Sequence, residues 1–286
     1  MTTIAFAKGH GTSNDFVLVP DLDGTIDLDP QTVAALCNRR SGIGGDGLIR
    51  ITRAQYVEDV PADIDPQSWF MDYRNADGGI AEMCGNGTRV VGQWLTEEGL
   101  VDGTFELGTR AGSKRIQAVS NGFGVDLGAW KLARPDVANE RGMDSVVQVV
   151  GAPDALPALS LDLGNPHTVV ALPRETDLDS LDLARAPHVD PHPDHGTNVE
   201  FVRAEDAEHI SLRVYERGVG ETLSCGTGAA AAALATWWWG GQPADQLDWR
   251  VDVPGGTLGV HIDGDRVTLT GPAEIVARGQ VTLPYA

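Results

Sequence analysis

Hydrophobic and polar positions along this chain change in short runs, not in long helical stripes. Trp69-Phe70-Met71-Asp72-Tyr73 and Ile210-Ser211-Leu212-Arg213-Val214-Tyr215 read as strands bounded by turn residues. Each leads into a Cys-Gly-x-Gly turn and then a helix-like run, Arg89 to Leu95 in one case and Ala229 to Trp239 in the other. Ala229 to Ala235 offer almost no polar face, which predicts a helix buried on all sides. Trp237 to Trp239 mark its end, with Gly240-Gly241 as the stop. The stretches Gly151 to Ala158 and Pro187 to Pro193 read as loops, and Asp263-Gly264-Asp265 as a turn. Long βαβ alternation is absent, which disfavours a doubly wound parallel sheet.

The chain echoes itself. Glu82-Met83-Cys84-Gly85-Asn86-Gly87-Thr88 returns as Leu223-Ser224-Cys225-Gly226-Thr227-Gly228-Ala229, 141 positions later (225 − 84), close to half the chain (286/2 = 143). Upstream, Asn14-Asp15-Phe16-Val17-Leu18-Val19 is matched by Asn165-Pro166-His167-Thr168-Val169-Val170. Asp46-Gly47-Leu48-Ile49 is matched by Asn198-Val199-Glu200-Phe201. The same order twice predicts an α+β fold of two pseudo-symmetric lobes, each a strongly bent, mainly antiparallel sheet wrapped around a central helix. The expected lobes are residues 1–129, carrying Cys84, and 130–272, carrying Cys225. A final strand within 273–286 is expected to return to the first lobe.

Bulk properties narrow the partners. At 286 residues the chain is long enough for two cores. A formal net charge of −20 repels phosphate backbones and anionic lipid, so neither nucleic acid nor membrane is an expected partner. No apolar run approaches the roughly 20 residues needed to span a bilayer. The N-terminus lacks a basic segment followed by a long apolar run, so a cytoplasmic location is expected. Cys37, Cys84 and Cys225 are an odd set, which argues for a reducing compartment over a disulfide framework. No zinc-finger spacing is present, and no metal is expected. His188, His192 and His195 look metal-like but fall in a Pro/Asp-rich loop and read as solvated. Lys8, Lys114 and Lys131 are the only lysines, and none lies in a segment that reads as a site for a pyridoxal Schiff base.

The chemistry concentrates at the two Cys-Gly-x-Gly turns. Glycines bring bare N–H groups close to a ligand. A helix start adds unpaired donors and partial positive charge, which suits a carboxylate and lowers a cysteine pKa. Two such turns suggest two sulfurs facing one pocket. One thiolate and one thiol can then exchange a proton across an amino-acid α-carbon, while helix-start donors stabilise the developing enediolate. A lone cysteine is more often a small buried hydrophobe, and that reading is adopted for Cys37. The glycines by themselves also permit tight helix–strand packing.

Six segments in order carry a resemblance to diaminopimelate epimerases. They are Lys8 to Phe16, Gly42 to Gly47, Asn75-Ala76-Asp77-Gly78 with Met83 to Arg89, Gly164-Asn165-Pro166-His167, Gly196 to Phe201, and Glu216 to Thr222. Pro254-Gly255-Gly256 and Gly271-Pro272-Ala273 resemble the family's closing strands. The resemblance implies interconversion of L,L- and meso-diaminopimelate, on the route to lysine and peptidoglycan precursor, with no cofactor and no metal, by a homodimer. It assigns Cys84 and Cys225 as the catalytic cysteines and places His167 and Glu216 beside the reacting centre. It gives Gly85, Asn86, Gly226 and Thr227 as carboxylate donors, and Asn14, Asn75, Asn165, Asn198, Glu216 and Arg217 as further substrate contacts. Taken singly, each asparagine is also a turn former, Glu216 and Arg217 can pair on the surface, and His167 can be structural. Ser13 stands where the family usually has glycine and Ser224 where alanine is common. Gly47 stands where some members have glutamine, which removes that contact. The alternative function is another cofactor-independent racemase acting on proline, hydroxyproline or histidine, and a non-catalytic or isomerase relative is a second. The several asparagines and the Glu-Arg pair favour a long substrate with a second polar end.

Overall fold

The computed structural model describes residues 2–152 and 154–283 and is an α+β protein in which strands greatly outnumber helices. It divides into two compact units, one of residues 1–125 with 271–286, the other of residues 126–270. Residues 284–286 of the expected returning strand lie outside the described residues.

In the first unit, the strand Thr3–Gly11 turns back at Thr12-Ser13 into the strand Asn14–Pro20. Both turn residues have positive φ, +50° and +65°. That is the demand of a two-residue hairpin turn, and it explains why glycine suits position 13 for its backbone freedom and not only for its size. Asn14–Pro20 runs parallel to Gly47–Arg53, which is antiparallel to Trp69–Asn75. The C-terminal strand Glu274–Thr282 closes the other side by pairing antiparallel with Thr3–Gly11. The helix Gly85–Glu97 packs against strands from all these pairs. Its buried stripe of Val90, Val91, Trp94 and Leu95 is covered by them.

The second unit repeats the plan. Pro166–Leu172 runs parallel to Asn198–Asp206, which is antiparallel to His209–Glu216. Phe16 faces Gly47 and His167 faces Asn198, the same interval of 31 residues (47 − 16 and 198 − 167). The helix Gly226–Trp239 sits among these strands with Ala229 to Ala235 fully buried. Alanine has the best helix propensity and the smallest side chain that still excludes water, so strands can close on every face. A larger residue there would overpack the core at a cost of about 1–3 kcal/mol.

Both helices end in the same double bond pattern. Leu100 N–H donates to Leu95 O and Gly99 N–H to Thr96 O; Gln242 N–H donates to Trp237 O and Gly241 N–H to Trp238 O. The left-handed residue is Gly99 (φ +68°) in one and Gly241 (φ +85°) in the other, so Gly241 and not Gly240 makes the stop. The segment expected to be an irregular loop at Pro187 to Pro193 contains a three-residue strand, His188–Asp190, paired with Ser145–Gln148. A strand that short shows no alternation to read.

Candidate active site

Cys84 is the residue that caps the start of the first unit's helix, in extended conformation, and it is partly exposed. Asn14, at the head of its strand, presents Oδ1 to the sulfur at 3.7 Å and accepts from Asn86 Nδ2 at 3.2 Å. The amide is held in this sense because Asn14 Nδ2 donates to Asp46 Oδ2 at 2.8 Å. Asp46 is in turn held by Arg39, which also forks onto both oxygens of Asp15, and Lys8 reaches Asp15 at 2.6 Å. Burial pushes the Asp15 carboxyl up, but the bonds and charges of Arg39 and Lys8 outweigh it and hold Asp15 well below the usual carboxylate range. Gly85 and Asn86 occupy the first helical positions. Asn75 is exposed at the end of its strand, in a turn closed by Asn75 N–H to Gly79 O at 2.8 Å. At Gly47 a Cβ would lie 2.6 Å from the Tyr73 ring and 2.7 Å from Arg74 O, so the position has no room for a longer side chain.

Cys225 occupies the same place in the second unit. It caps its helix, and the Gly228 N–H donates to Sγ at 3.4 Å. Nine residues separate Asn75 from Cys84 and Glu216 from Cys225 (84 − 75 and 225 − 216). Asn165 donates to Thr227 Oγ1 at 3.2 Å, the counterpart of the Asn14–Asn86 bond, and Thr227 Oγ1 lies 3.6 Å from the sulfur. His167 joins Asn165 Oδ1 through Nε2 at 3.1 Å and Glu200 Oε1 through Nδ1 at 2.7 Å. Glu216 accepts from the Thr222 hydroxyl and shares a hydrogen bond with Cys225. Glu216 and Arg217 do not pair with each other: Arg217 donates its backbone N–H to Asn198 Oδ1 and its guanidinium to His195 O. Arg217 also lines a cavity of about 400 Å³ with His188, His192, Thr197 and Tyr215.

The two floors differ. Two residues after each leading asparagine stand Phe16 and His167, and two residues after their parallel partners stand Ile49 and Glu200. A Cβ on Gly87 would meet Met71 Cε and Ile49 Cδ1; a Cβ on Gly228 would meet Glu200 Oε1 at 2.8 Å. An apolar floor thus underlies the Cys84 turn, and a buried carboxyl–imidazole pair the Cys225 turn. This corrects the expectation that both turns lower their cysteine's pKa. Burial, then Glu216 and Glu200, push Cys225 well above the free value; the Thr227 and Gly228 bonds act in the expected direction and lose. Cys225 is therefore a thiol at neutral pH. Cys37 belongs to the apolar core around Val17, Val33 and Leu36, and burial raises it to about 11.

Glu200 and Arg89 carry no role in the sequence reading, yet both are fully buried, one in the unit of each cysteine turn. The signal for Glu200 was available: a carboxylate within Val199-Glu200-Phe201-Val202 has no solvent face to occupy. Among the described residues, no group of three or more His, Cys, Asp or Glu side chains is arranged to hold a metal ion, and no helix is long and apolar enough to cross a membrane.

The description of the diaminopimelate epimerase family matches residues 6–132 and 159–276. The diaminopimelate epimerase of Corynebacterium glutamicum is 45% identical, over 98% of this chain and 99% of that protein. That of Thermobifida fusca is 43% identical, over 97% and 98%. A crystal structure of a hydroxyproline epimerase from Agrobacterium vitis, with bound trans-4-hydroxy-L-proline, superposes with a TM-score of 0.65 at 14% identity, covering 99% of this chain and 93% of that one. At that identity the likeness speaks to the fold alone.

Proposed function

Because the chain belongs to the diaminopimelate epimerase family, we propose that Cys84 and Cys225 are the two bases of its reaction. That reaction, the epimerisation of L,L-diaminopimelate to the meso form, inverts one α-carbon. Inversion requires a base to take the α-proton from one face and an acid to return one to the other. The single observation that carries the assignment is the repeat itself. Each unit supplies one cysteine at the first cap of a helix, nine residues beyond the end of an antiparallel strand, with an asparagine-led parallel strand beside it.

Cys225, held protonated, is the acid, and the ionised partner is the base. As the proton leaves, negative charge grows on the substrate carboxylate. Gly85, Asn86, Gly226 and Thr227 occupy the helix starts whose N–H groups and dipoles favour that charge. Asn165 and Asn14 fix the residues two positions beyond each cysteine, and His167 fixes Asn165. Glu216 shares its bond with the Cys225 thiol and keeps it uncharged. Asn75, Asn198, Glu216 and Arg217 are assigned to the substrate, with the Arg217 fork suited to the distal carboxylate. A cytoplasmic homodimer completes the reading, and sedimentation of the purified protein tests the dimer.

The test is α-hydrogen exchange in deuterated water, followed by NMR, with diaminopimelate and proline as parallel substrates. Wild-type protein should exchange diaminopimelate and leave proline untouched. Cys84→Ala and Cys225→Ala should each abolish epimerisation with unchanged far-UV circular dichroism. Full activity in either variant would remove the two-thiol assignment.

A further inference from the structure

Among the described residues, Arg89 is the largest fully buried side chain, one turn into the helix that Cys84 caps. Its guanidinium meets only neutral oxygens: Asn86 Oδ1 at 2.8 Å, and Gly85 O, Thr12 Oγ1 and Pro272 O at 3.4 Å. Space for it is left by Gly11, where a Cβ would stand 3.1 Å from Nη2. Among the described residues no carboxylate forms an ion pair with it. A buried guanidinium without an anion carries a large desolvation penalty, so the place where its charge is answered matters.

The carboxylates on neighbouring elements are engaged elsewhere. Asp15 pairs with Lys8 and Arg39, Asp72 with Arg50, Arg74 and Arg110, Glu97 and Glu98 with Arg278, and exposed Glu274 faces His10. Lys114 and Arg115, on the Gly112–Val119 strand, carry positive charge and cannot answer it. Cys84, at the cap of the same helix, is the ionisable group whose charge acts on Arg89. Burial draws Arg89 down to about 10, and the charge of Cys84 is what opposes that fall. Asn14 Oδ1, a neutral acceptor at 3.7 Å, favours the thiol form of Cys84; a full buried positive charge outweighs it. In the second unit the position equivalent to Arg89 is Ala230 (89 + 141), and the charges near Cys225 are the carboxyls of Glu216 and Glu200.

We propose that Arg89 is the buried counter-cation of the Cys84 half-site, making Cys84 the resting thiolate, the base, and leaving Cys225 the resting thiol. This rests on the reading that the two cysteines are the catalytic pair. Arg89 acts through Cys84 and through the clamp on Asn86, so it is a positioning residue. A proton abstracted from the first-bound stereoisomer is therefore taken by Cys84, and the product is made with Cys84 protonated and Cys225 ionised.

The experiment is site-resolved alkylation. Full-length protein is labelled with iodoacetamide at a series of pH values, and the rate at each cysteine is read by mass spectrometry. In the wild type, Cys84 should label with a midpoint at least about one pH unit below the ~8.5 of a free thiol, and Cys225 above it. Arg89→Met should move the Cys84 midpoint up by about a unit or more, a tenfold loss of thiolate, with Cys225 unmoved. Arg89→Lys should keep the midpoint while raising KM, because the charge remains and the fork onto Asn86 is lost. A folded Arg89→Met with an unmoved Cys84 midpoint overturns the proposal, as does a KM effect in that variant without a shift. Should Arg89→Met fail to fold, the wild-type order decides: Cys225 ionising before Cys84 overturns it. Cys84→Ala is assayed alongside. Retained activity there sinks the two-thiol reading itself, whereas lost activity with an unmoved midpoint sinks only the role of Arg89.

Discussion

His167 Nδ1 and Glu200 Oε1 lie 2.7 Å apart with neither side chain exposed to solvent. Asn165 gives its Nδ2 to Thr227, so its Oδ1 must accept from His167 Nε2, and that ring nitrogen carries a hydrogen. Nδ1 is then the ring nitrogen that meets the carboxyl, in a hydrogen bond closed off from water. Glu200 Oε2 has no hydrogen-bond partner among the described residues, so nothing at that oxygen offsets the cost of burying its charged form.

Glu200→Gln tests the consequence for stability. Burial raises the Glu200 pKa above its ordinary value, against the opposing pull of His167. A raised carboxyl contributes stability that is fully present below the unfolded value, about 4.3, and is lost as pH rises through the folded one. Glutamine keeps the shape and does not titrate. The stability difference, wild type minus Glu200→Gln, should therefore shrink steadily from acid towards neutral pH in thermal denaturation. A difference that stays constant from pH 4 to 9 would contradict a raised Glu200.

Gly228→Ala and Gly87→Ala separate the two floors. The new methyl at 228 meets Glu200 Oε1 at 2.8 Å and the Cys225 Sγ at 3.3 Å. Both are fixed, so a loss of about 1–3 kcal/mol in stability and a large fall in activity are expected. The methyl at 87 meets the end of Met71 at 2.7 Å and Ile49 Cδ1 at 3.0 Å, ends that can turn aside. Urea melts and turnover of the two variants side by side check this; equal damage would mean the floors do not differ as described.

The repeat around the cysteines was legible because it is local. A strand, a turn with two glycines and a helix follow one another in sequence, and the motif occurs twice. The parallel pairing of Asn14–Pro20 with Gly47–Arg53 was visible only as a matched interval, since nothing in either strand names its partner. The pKa of Cys225 was not legible at all. The turn chemistry favours a thiolate, and its reversal comes from burial first, then from Glu216 and from Glu200, 25 residues upstream (225 − 200). Arg89 was hidden in another way: helix spacing shows which face it shares, but not that Gly11 and Pro272 close over it.

Thr227→Val removes a hydroxyl that accepts from Asn165 and touches Cys225, with little change in volume. One hydrogen bond is worth about 0.5–1.5 kcal/mol, so kcat should fall by about 2- to 10-fold, and Thr227→Ser should recover most of it. Equal loss in the serine variant would shift the cause from the hydroxyl to the methyl group.

Asp15→Asn probes the charge cluster that orients Asn14, and its pH dependence runs opposite to that of Glu200. Arg39 and Lys8 hold the Asp15 carboxyl below its ordinary range in spite of burial. A depressed carboxyl contributes stability that is present above the unfolded value, about 3.9, and is lost as pH falls through the folded one. The variant should melt lower than wild type at pH 7, and the gap should close in strong acid. Arg39 is 57% exposed, so salt should narrow the gap at neutral pH as well. Activity responds separately. Asparagine keeps one acceptor oxygen but loses the charge and the second acceptor, so the Arg39 fork is broken, its hold on Asp46 loosens, and the Asn14 amide is freer to rotate its Oδ1 away from Asn86. Turnover should therefore drop even under conditions where the variant is fully folded. Normal turnover with a lowered melting temperature would make the cluster purely structural, and a melting gap that widens in acid would reverse the sign assigned to Asp15.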